Sequence, residues 1–252
     1  MIAAATTTYL VTGANRGIGL GLVTTYLARP NSTIVAAVRD PNHATSKALA
    51  DLPKGAGSNL IVVKIDSLSE TDADQAIAEL QSKYNITALD VVVANAGVAS
   101  VYPAVHEAQA KDMIEHYRIN VVAVPILLRA VLPLLKQSTQ GAKFVTIGSV
   151  AGTIGDMEKV AVPNAAYGPS KAAVSWISRK IHFENPDLIS FNVHPGWVQT
   201  EMGNKGAVAF GLESAPQTLE ESISGLVKLF DGATRETSGG KFLSYDGTEL
   251  VW

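Results

Sequence analysis

The stretch Thr12-Gly13-Ala14-Asn15-Arg16-Gly17-Ile18-Gly19 decides the fold of this 252-residue chain. It follows a β-branched run, Thr8–Val11, and leads into a helical pattern from Ile18 to Ala28. Glycines in such a turn let the backbone approach a pyrophosphate, and the helix N-terminus offers free N–H groups to it. The spacing Gly-x-x-x-Gly-x-Gly differs from the commoner Gly-x-Gly-x-x-Gly pattern, and an ordinary glycine-rich turn is the alternative. The strand before and the helix after favour a dinucleotide-binding turn.

Strands and helices alternate along the rest of the chain. The strand-like runs are mostly apolar rather than alternating, as in a parallel sheet that is buried on both faces. This order predicts one α/β domain over residues 1–252, with a doubly wound parallel sheet of about seven strands and helices on both faces. An α/β domain without a cofactor is the alternative that composition leaves open. The other predicted strands are Thr33–Val38, Leu60–Ile65, Leu89–Val93, Lys143–Ile147 and Ile189–Val193, and the later helical patterns are Glu70–Lys83, Ala108–Leu135 and Ala165–Phe183.

Composition and charge argue against several classes of protein. Hydrophobic residues make up 47% and charged residues 17%, which is typical of a globular chain rather than a disordered one. The net charge is −3 and no basic run occurs, so no nucleic-acid partner is expected. The chain has no cysteine, which excludes disulfides, thiolate nucleophiles and cysteine-held metal sites. The five histidines do not have a metal-ligand spacing, so we expect no metal.

No targeting or membrane segment is predicted. The first ten residues lack a basic region and a long apolar region. The apolar stretch Val121–Leu135 is interrupted by Pro125, Arg129 and Pro133, and it is shorter than the ~18 residues that a membrane span needs. We therefore expect a cytoplasmic protein without a membrane partner.

The end of the second strand indicates which dinucleotide is bound. An acidic residue there accepts hydrogen bonds from the ribose hydroxyls, whereas an arginine accommodates a 2′-phosphate. Arg39 stands at this place, and Arg39 and Arg16 together offer forked donors to a phosphate. This favours NADPH and makes NADH the less expected cofactor. Asp40 is an acidic residue next to this place and favours NADH instead. The alternative role for Arg39 is that of a solvated surface arginine.

Tyr167 and Lys171 have the i, i+4 spacing that places two side chains on one helix face. A neighbouring ammonium lowers the pKa of a phenol from its ordinary value of about 10. Such a tyrosine exchanges a proton with a carbonyl or alcohol oxygen. The pair alone is weak evidence, because chance matches are common.

Other polar residues follow neighbouring strands and strengthen this interpretation. Ser149 comes just after the fifth predicted strand, and Asn95-Ala96-Gly97 just after the fourth. Ligands of open α/β sheets bind beyond the carboxyl ends of the strands. We therefore expect these residues to converge with Tyr167 at one edge of the sheet.

Taken together, these motifs resemble the short-chain dehydrogenase/reductase family over essentially the whole chain. The end of the chain, with Tyr245-Asp246-Gly247-Thr248 and Trp252, further resembles the sniffer-type carbonyl reductases and the fungal norsolorinic acid ketoreductase-like branch. The resemblance implies a single-domain Rossmann-type fold. The motifs that carry it are Thr12-Gly13-x-x-x-Gly17-x-Gly19, Asn95-Ala96-Gly97, Asn120, Ser149, Tyr167-x-x-x-Lys171 and His194-Pro195-Gly196-Trp197-Val198-x-Thr200.

The resemblance also implies roles for individual residues. Tyr167 is the general acid/base, and Lys171 lowers its pKa and binds the nicotinamide ribose. Ser149 binds the substrate carbonyl, and Asn120 holds a water that relays protons to Lys171. The implied cofactor contacts are Gly13, Asn15, Arg16, Gly17, Ile18, Gly19, Arg39, Asp66 at the adenine, Asn95, Ala96, Gly97, Tyr167, Lys171, Pro195, Gly196, and Val198 and Thr200 at the nicotinamide carboxamide.

Two features depart from the family pattern. Ser149 and Tyr167 stand 18 positions apart, several more than is usual, and the extra residues fall within Gly155–Asn164. We expect them to form a loop beside the pocket that affects substrate shape. Ala94 stands where the family often has a second asparagine, and we expect little effect from it.

The segment 201–216 is the expected lid over the substrate. It is short and rich in glycine and other small residues, so we expect it to be mobile. No basic residue is evidently placed for a substrate carboxylate, which favours an apolar or aromatic ketone and leaves a bulky one open. Several apolar residues could line the substrate pocket, and for each of them packing in the protein core is the alternative role. The candidates are Val98, Met157, Val160, Trp197, Met202 and Phe210.

The resulting hypothesis is an NADPH-dependent reductase of a small-molecule ketone, acting reversibly. The alternatives are an NAD-dependent alcohol dehydrogenase of the same fold and a non-catalytic protein that senses NADP(H). Since members of the family often pair through the long helices, here Ala108–Leu135 and Ala165–Phe183, a homodimer or homotetramer is also expected.

Overall fold

The fold is that of a computed structural model, which describes residues 6–160 and 162–252. Its sheet has seven parallel strands in the order β3-β2-β1-β4-β5-β6-β7. Tyr9 in β1 pairs with Ile34 in β2 on one side and with Val91 in β4 on the other. The strands are β1 Thr7–Thr12, β2 Ser32–Val38, β3 Asn59–Lys64, β4 Val91–Ala94, β5 Lys143–Ile147, β6 Ile189–His194 and β7 Phe242–Ser244.

The strand order confirms the predicted doubly wound sheet. The chain first runs outward from β1 to β3 and then crosses to β4 on the other side of β1. The carboxyl ends of β1 and β4 therefore lie beside the crevice where open α/β sheets bind ligands. The helices are α1 Gly17–Leu27, α2 Ala44–Lys47, α3 Asp72–Tyr84, α4 Ala110–Tyr117, α5 Ala123–Leu135, α6 Tyr167–Glu184, α7 Glu201–Ala209 and α8 Leu219–Gly232.

Both faces of the sheet are covered by apolar helix surfaces, which explains the nearly continuous apolar strands. One core cluster joins α1 and α8 to the sheet and includes Leu22, Tyr26, Phe191, Leu226 and Phe230. The other cluster joins α3, α5 and α6 to the opposite face and includes Leu80, Leu127, Val131, Phe144 and Ile181.

The predicted helix Ala108–Leu135 is observed as α4, a wider turn at Arg118–Val122 with π-helical hydrogen bonding, and α5. By length and composition alone, Ala110–Leu135 could cross a membrane, which the interrupted apolar pattern did not lead us to expect. Val124, Leu127 and Val131 are nevertheless buried against the sheet. This packing is that of a core helix.

The last part of the chain contains elements that the sequence patterns did not locate. Helix α8 is capped by Thr218, whose hydroxyl accepts a hydrogen bond from the Glu221 N–H while the Glu221 carboxylate accepts from the Thr218 N–H. This reciprocal capping explains why the helix starts there. Strand β7 has only three residues and completes the sheet beside β6.

Candidate active site

The glycine turn between β1 and α1 has the close geometry that its sequence predicts. Gly13 and Gly17 have positive φ angles of 63° and 52°. A Cβ on Gly19 would lie 2.3 Å from the carbonyl oxygen of Gly13. The turn therefore presents bare backbone to the crevice, and no larger residue fits at Gly19.

Asn95 and Thr12 connect this turn to the end of β4. The Thr12 hydroxyl accepts hydrogen bonds from the N–H groups of Asn95 and Ala96, each at 3.0 Å. The Asn95 side chain donates to the carbonyl oxygen of Thr12 at 2.7 Å. Asn95 thereby fixes the glycine turn against β4, which is how it supports the crevice between β1 and β4.

Side chains that donate hydrogen bonds lie at the end of β2, where the sequence is expected to select NADPH or NADH. The Asn15 side chain donates to the Thr45 hydroxyl at 2.7 Å, and Arg39 is exposed at the end of the strand. The Asp40 carboxylate accepts from the N–H of Asn42 at 2.8 Å. This end of the strand therefore carries both the arginine and the acidic residue that the sequence weighs against each other for the choice of cofactor.

Arg16 makes a contact that the sequence did not predict. Its guanidinium pairs with the Glu201 carboxylate at 3.2 Å, and both side chains are mostly exposed. Such a surface pair contributes little stability, so Arg16 is readily available to another anion. Glu201 is the first residue of α7, and the pair brings the start of the expected lid close to the glycine turn.

A shallow cleft beyond β1 and β4 leads away from this turn. It is lined by Thr12, Asp66, Ala96 and Ile119 among others. The Asp66 carboxylate accepts from the N–H of Leu68 at 2.9 Å, which holds Asp66 at the rim. Asp66 therefore borders this cleft, and its contact with the adenine stays a prediction.

Tyr167 and Lys171 lie on the first turns of α6, beside the end of β5. The buried Lys171 ammonium donates to the carbonyl oxygen of Ile147 at 2.7 Å and lies 5.6 Å from the centre of the Tyr167 ring. Ser149 follows β5 directly, and its hydroxyl accepts from the N–H of Ala151 at 3.1 Å. The structure thus brings the predicted phenol, ammonium and hydroxyl together at the carboxyl end of β5.

Burial shifts the pKa values of both titratable groups. It raises the pKa of Tyr167 to about 12, although the nearby Ser149 hydroxyl acts to lower it. Burial also lowers the pKa of Lys171 to about 8. The predicted lowering of the Tyr167 pKa is therefore wrong for this structure, because the cost of removing the phenolate from water exceeds the stabilisation by the Ser149 hydroxyl.

Asn120 lies inside the π-helical turn between α4 and α5. Its side-chain amide donates to the carbonyl oxygen of Val98 at 3.0 Å and to the Ser170 hydroxyl at 3.0 Å, and its oxygen accepts from the N–H of Val98 at 2.8 Å. Asn120 therefore joins the segment after β4 to the helix that carries Lys171. A π turn often marks a functional position of this kind.

The segment after β6 forms the floor of the expected lid. The carbonyl oxygen of Pro195 accepts from the Ser222 hydroxyl at 2.6 Å, and the N–H of Thr200 donates to the carbonyl oxygen of Val198 at 2.7 Å. A Cβ on Gly17 would meet the Thr200 side chain at 3.3 Å. Thr200, near the end of this segment, thus lies next to the glycine turn, and the contacts of Val198 and Thr200 with the nicotinamide stay predictions.

The expected lid begins with an ordered helix, α7. The Thr200 hydroxyl caps it by accepting from the N–H of Gly203 at 3.1 Å, and the Trp197 indole donates to the Gly203 carbonyl oxygen at 2.9 Å. A Cβ on Gly203 would lie 1.9 Å from the carbonyl oxygen of Val198, and one on Gly206 would lie 3.1 Å from the Tyr102 hydroxyl. These glycines, which suggested mobility, are needed for close packing.

An aromatic cluster joins α7 to the segment after β4. Phe210 lies edge-on to Tyr102, with ring centres 5.2 Å apart, and edge-on to Trp197 at 6.2 Å. Tyr102 also acts to raise the pKa of Tyr167. Of the predicted apolar wall, Trp197 and Phe210 belong to this cluster, whereas Met157 is exposed.

Tyr102, His116 and Lys205 are site residues that sequence reasoning missed. His116 is buried, and its ring lies edge-on to Tyr167 with centres 6.5 Å apart. The Lys205 ammonium on α7 donates to the carbonyl oxygen of Ser100 at 3.2 Å. Of these three residues, only His116 could have been found from the sequence, because it has an i, i+4 spacing to the predicted site residue Asn120.

The long connection from Ser149 to Tyr167 is held by the end of the chain. The N–H groups of Ile154 and Gly155 donate to the carbonyl oxygen of Trp252 at 3.1 and 2.9 Å. The Thr153 hydroxyl donates to the carbonyl oxygen of Val251 at 2.9 Å. The first part of the extra segment is therefore packed against Val251 and Trp252.

Within residues 6–160 and 162–252, no three histidine or acidic side chains come together as metal ligands.

Comparison with known proteins places the chain in a family. The model of the short chain dehydrogenase family matches residues 7–207. A norsolorinic acid ketoreductase from Dothistroma septosporum is 50% identical over 98% of this chain and 92% of its own length, and one from Aspergillus parasiticus is 43% identical over 98% and 91%.

Two solved structures are similar over 98% of this chain and all of theirs. The NADPH-bound carbonyl reductase from chicken fatty liver has a TM-score of 0.85 at 29% identity, and the carbonyl reductase Sniffer of Drosophila melanogaster has 0.84 at 26%. The sheet order, the glycine turn and the Tyr–Lys helix agree with the family match. The chain therefore belongs to the short-chain dehydrogenase family and is an oxidoreductase of that family.

Proposed function

We propose that this protein reduces a ketone to an alcohol with NADPH. The observation that carries the proposal is the meeting of Tyr167, Lys171 and Ser149 at the carboxyl end of β5, beside the crevice bordered by the glycine turn. NADPH bound along this crevice would supply the hydride. The similarity to ketoreductases and to an NADPH-bound carbonyl reductase supports the same chemistry.

In this proposal Tyr167 is the general acid. Its raised pKa keeps the phenol protonated at neutral pH, so it is ready to donate a proton to the developing alkoxide. Ser149 holds the carbonyl oxygen by a hydrogen bond, which fixes the direction of approach. The phenolate left behind regains a proton by way of Lys171 and a water held at Asn120.

Lys171 also binds the ribose of the nicotinamide in this proposal. It is fixed through its hydrogen bond to Ile147, which leaves its other N–H groups free to act as donors.

We propose NADPH rather than NADH because of the side chains after β2. Arg16 and Arg39 supply positive charge, and Asn15 lies beside the Thr45 hydroxyl. The Asp40 carboxylate accepts from the N–H of Asn42 through one oxygen and stands next to Arg39 in sequence, so we propose that the two arginines outweigh it. Initial rates with the two cofactors at equal concentrations test this. Higher kcat/KM with NADH would instead favour the NAD-dependent alcohol dehydrogenase.

The proposed substrate is an apolar or aromatic ketone. Tyr102, Trp197 and Phe210 form an aromatic wall between α7 and the segment after β4, and edge-on aromatic contacts of this kind suit a planar substrate. Two fungal relatives are named as norsolorinic acid ketoreductases, which supports a ketone as the substrate.

A panel of purified carbonyl compounds tests the substrate class. With NADPH, we expect higher kcat/KM for bulky aromatic ketones than for aliphatic aldehydes and small keto acids. Phe210→Ala should raise KM for the aromatic ketones about tenfold, since an aromatic pair contributes roughly 0.5–1.5 kcal/mol beyond its buried area. The matched control is Leu212→Ala, which changes an exposed residue just after α7. Comparable turnover of small charged keto acids would contradict the proposed substrate class.

We also propose that the protein forms a homodimer or a homotetramer. Several large apolar side chains are exposed on the outer faces of α4, α6 and the turn between α4 and α5. Single apolar residues at a surface are ordinary, but a continuous group of them marks an interaction surface. Light scattering behind size-exclusion chromatography gives the mass, and a monomer at micromolar concentration would contradict the proposal. The exposed residues are Met113, Ile114, Tyr117, Val122 and Trp176.

A further inference from the structure

His116 is a fully buried histidine that the proposed chemistry does not use. Its Nδ1 lies 2.7 Å from the carbonyl oxygen of Asp112, and its Nε2 lies 3.1 Å from the backbone nitrogen of Ser100. A carbonyl oxygen accepts only, so Nδ1 carries the hydrogen. A backbone N–H donates only, so Nε2 has none. Both bonds exist together only in the neutral ring that is protonated at Nδ1.

The residue held by Nε2 is itself held from the other side. The carbonyl oxygen of Ser100 accepts from the Lys205 ammonium on α7 at 3.2 Å. Ser100 therefore connects α4, through His116, to the expected lid. Asn120, one helical turn after His116, holds both the N–H and the carbonyl oxygen of Val98. His116 and Asn120 thus fix the segment Val98–Ser100 at both of its ends.

This segment determines where Tyr102 lies. The Tyr102 hydroxyl donates to the carbonyl oxygen of Ala99 at 3.1 Å, and its ring packs edge-on against Phe210. The backbone of Ala99 is set by the bonds to Val98 and Ser100 on either side of it. A shift at Ser100 would therefore move the aromatic wall.

His116 also contacts Tyr167 directly. The two rings are edge-on, with centres 6.5 Å apart and planes at 72°. This lies within the range of favourable aromatic pairs. One side chain therefore packs against the proposed acid and holds the wall on which the substrate would rest.

We infer that His116 is a positioning residue, which in its neutral, Nδ1-protonated form holds Tyr167 and the segment Ser100–Tyr102 in register for catalysis. The inference rests on the proposed function, because it concerns the geometry of that reaction. A residue that only stabilised the fold would alter the stability of the protein and leave kcat unchanged.

Replacement of the ring tests the catalytic part of the inference. His116→Phe keeps an aromatic ring against Tyr167 and removes the acceptor for the Ser100 N–H. We expect kcat with an aromatic ketone to fall about tenfold to a hundredfold, since small misplacements of reacting groups have effects of this size. The Kd for NADPH should stay within about twofold, because no cofactor contact is altered.

Two further variants separate positioning from general disturbance. His106→Phe changes an exposed histidine in the connection between β4 and α4 and should leave kcat unchanged. His116→Gln restores a side-chain acceptor and should recover part of the activity that H116F loses. A folded, NADPH-binding H116F with the kcat of H106F would overturn the inference, and so would H116Q with no more activity than H116F.

A measurement on the unaltered protein applies even if H116F does not fold. Nitrogen-15 NMR of labelled histidine distinguishes the two neutral tautomers and the charged ring. We expect His116 to be neutral and protonated at Nδ1 at neutral pH, and any other form would overturn the inference. If the wild-type protein reduces no ketone, the proposed function fails, whereas the tautomer result stands by itself.

Discussion

The Lys171 ammonium donates a hydrogen bond to the carbonyl oxygen of Ile147 at 2.7 Å. Ile147 is the last residue of β5, so this bond fixes α6 to the strand that Ser149 follows. The same bond lets a charged group reside in a buried place, where its pKa is lowered to about 8. This contact between a side chain and the sheet therefore helps to set the relative position of Tyr167, Lys171 and Ser149.

Tyr167→Phe should abolish most turnover while cofactor binding persists. The change removes only a hydroxyl, and general acid catalysis contributes about 10²- to 10⁴-fold to a rate. We expect kcat to fall within that range, measured by the loss of NADPH absorbance. The Kd for NADPH, followed by fluorescence titration, should change less than threefold. Unchanged turnover would mean that Tyr167 is not the acid.

Much of this site could be predicted from the sequence because its motifs are local. The glycine turn needs backbone conformations and close contacts that only glycine permits. The shared helix face of Tyr167 and Lys171 is visible in the sequence as their i, i+4 spacing. The apolar strands likewise follow from burial on both sheet faces. These features were predicted because each depends on neighbours in sequence.

Features that depend on distant contacts were not predicted. Tyr102 lies in a segment without secondary structure, and its place is set by bonds to Ala99 and by Phe210 more than a hundred positions away. Strand β7 has three residues, too few to show a period. The direction of the Tyr167 pKa shift also depends on burial, which the i, i+4 spacing does not report.

Arg39→Ala should change the choice of cofactor. Loss of a charge-assisted hydrogen bond to a 2′-phosphate costs about 1.5–3 kcal/mol, so KM for NADPH should rise about tenfold to a hundredfold. KM for NADH should change little, since NADH has no 2′-phosphate. Steady-state kinetics with both cofactors gives the two values.

The matched control for Arg39 is Arg129→Ala. Arg129 is an exposed arginine on α5 that pairs with Asp74 at 2.8 Å, and its loss should affect neither cofactor. If R39A raises KM for NADPH and NADH equally, Arg39 does not recognise the phosphate.

Gly19→Ala should weaken cofactor binding and destabilise the fold. The added Cβ would lie 2.3 Å from the carbonyl oxygen of Gly13 and 2.7 Å from the Asn95 side chain, so the turn must shift. Overpacking of this kind costs about 1–3 kcal/mol. We expect a lower urea midpoint and at least tenfold weaker NADPH binding.

Gly232→Ala is the opposite case and serves as the control for Gly19. Gly232 ends α8, and a Cβ there meets nothing within 4 Å. Alanine is favoured over glycine in a helix by up to about 1 kcal/mol, so this variant should be slightly more stable. A G19A protein with wild-type NADPH affinity would show that the turn does not touch the cofactor.

His194 should make the protein less stable in acid. Burial lowers the pKa of its imidazole from 6.5 to about 4, with Asp246 opposing the shift. The unfolded chain therefore binds a proton at higher pH than the folded protein does. The associated stability is fully present above pH 6.5 and is lost as the pH falls to about 4, by up to about 3 kcal/mol.

In His194→Phe this loss should be absent, whereas His106→Phe should retain it. Urea unfolding of the three proteins between pH 7 and 4 measures the difference. Parallel curves for the wild type and H194F would mean that His194 titrates alike in both states.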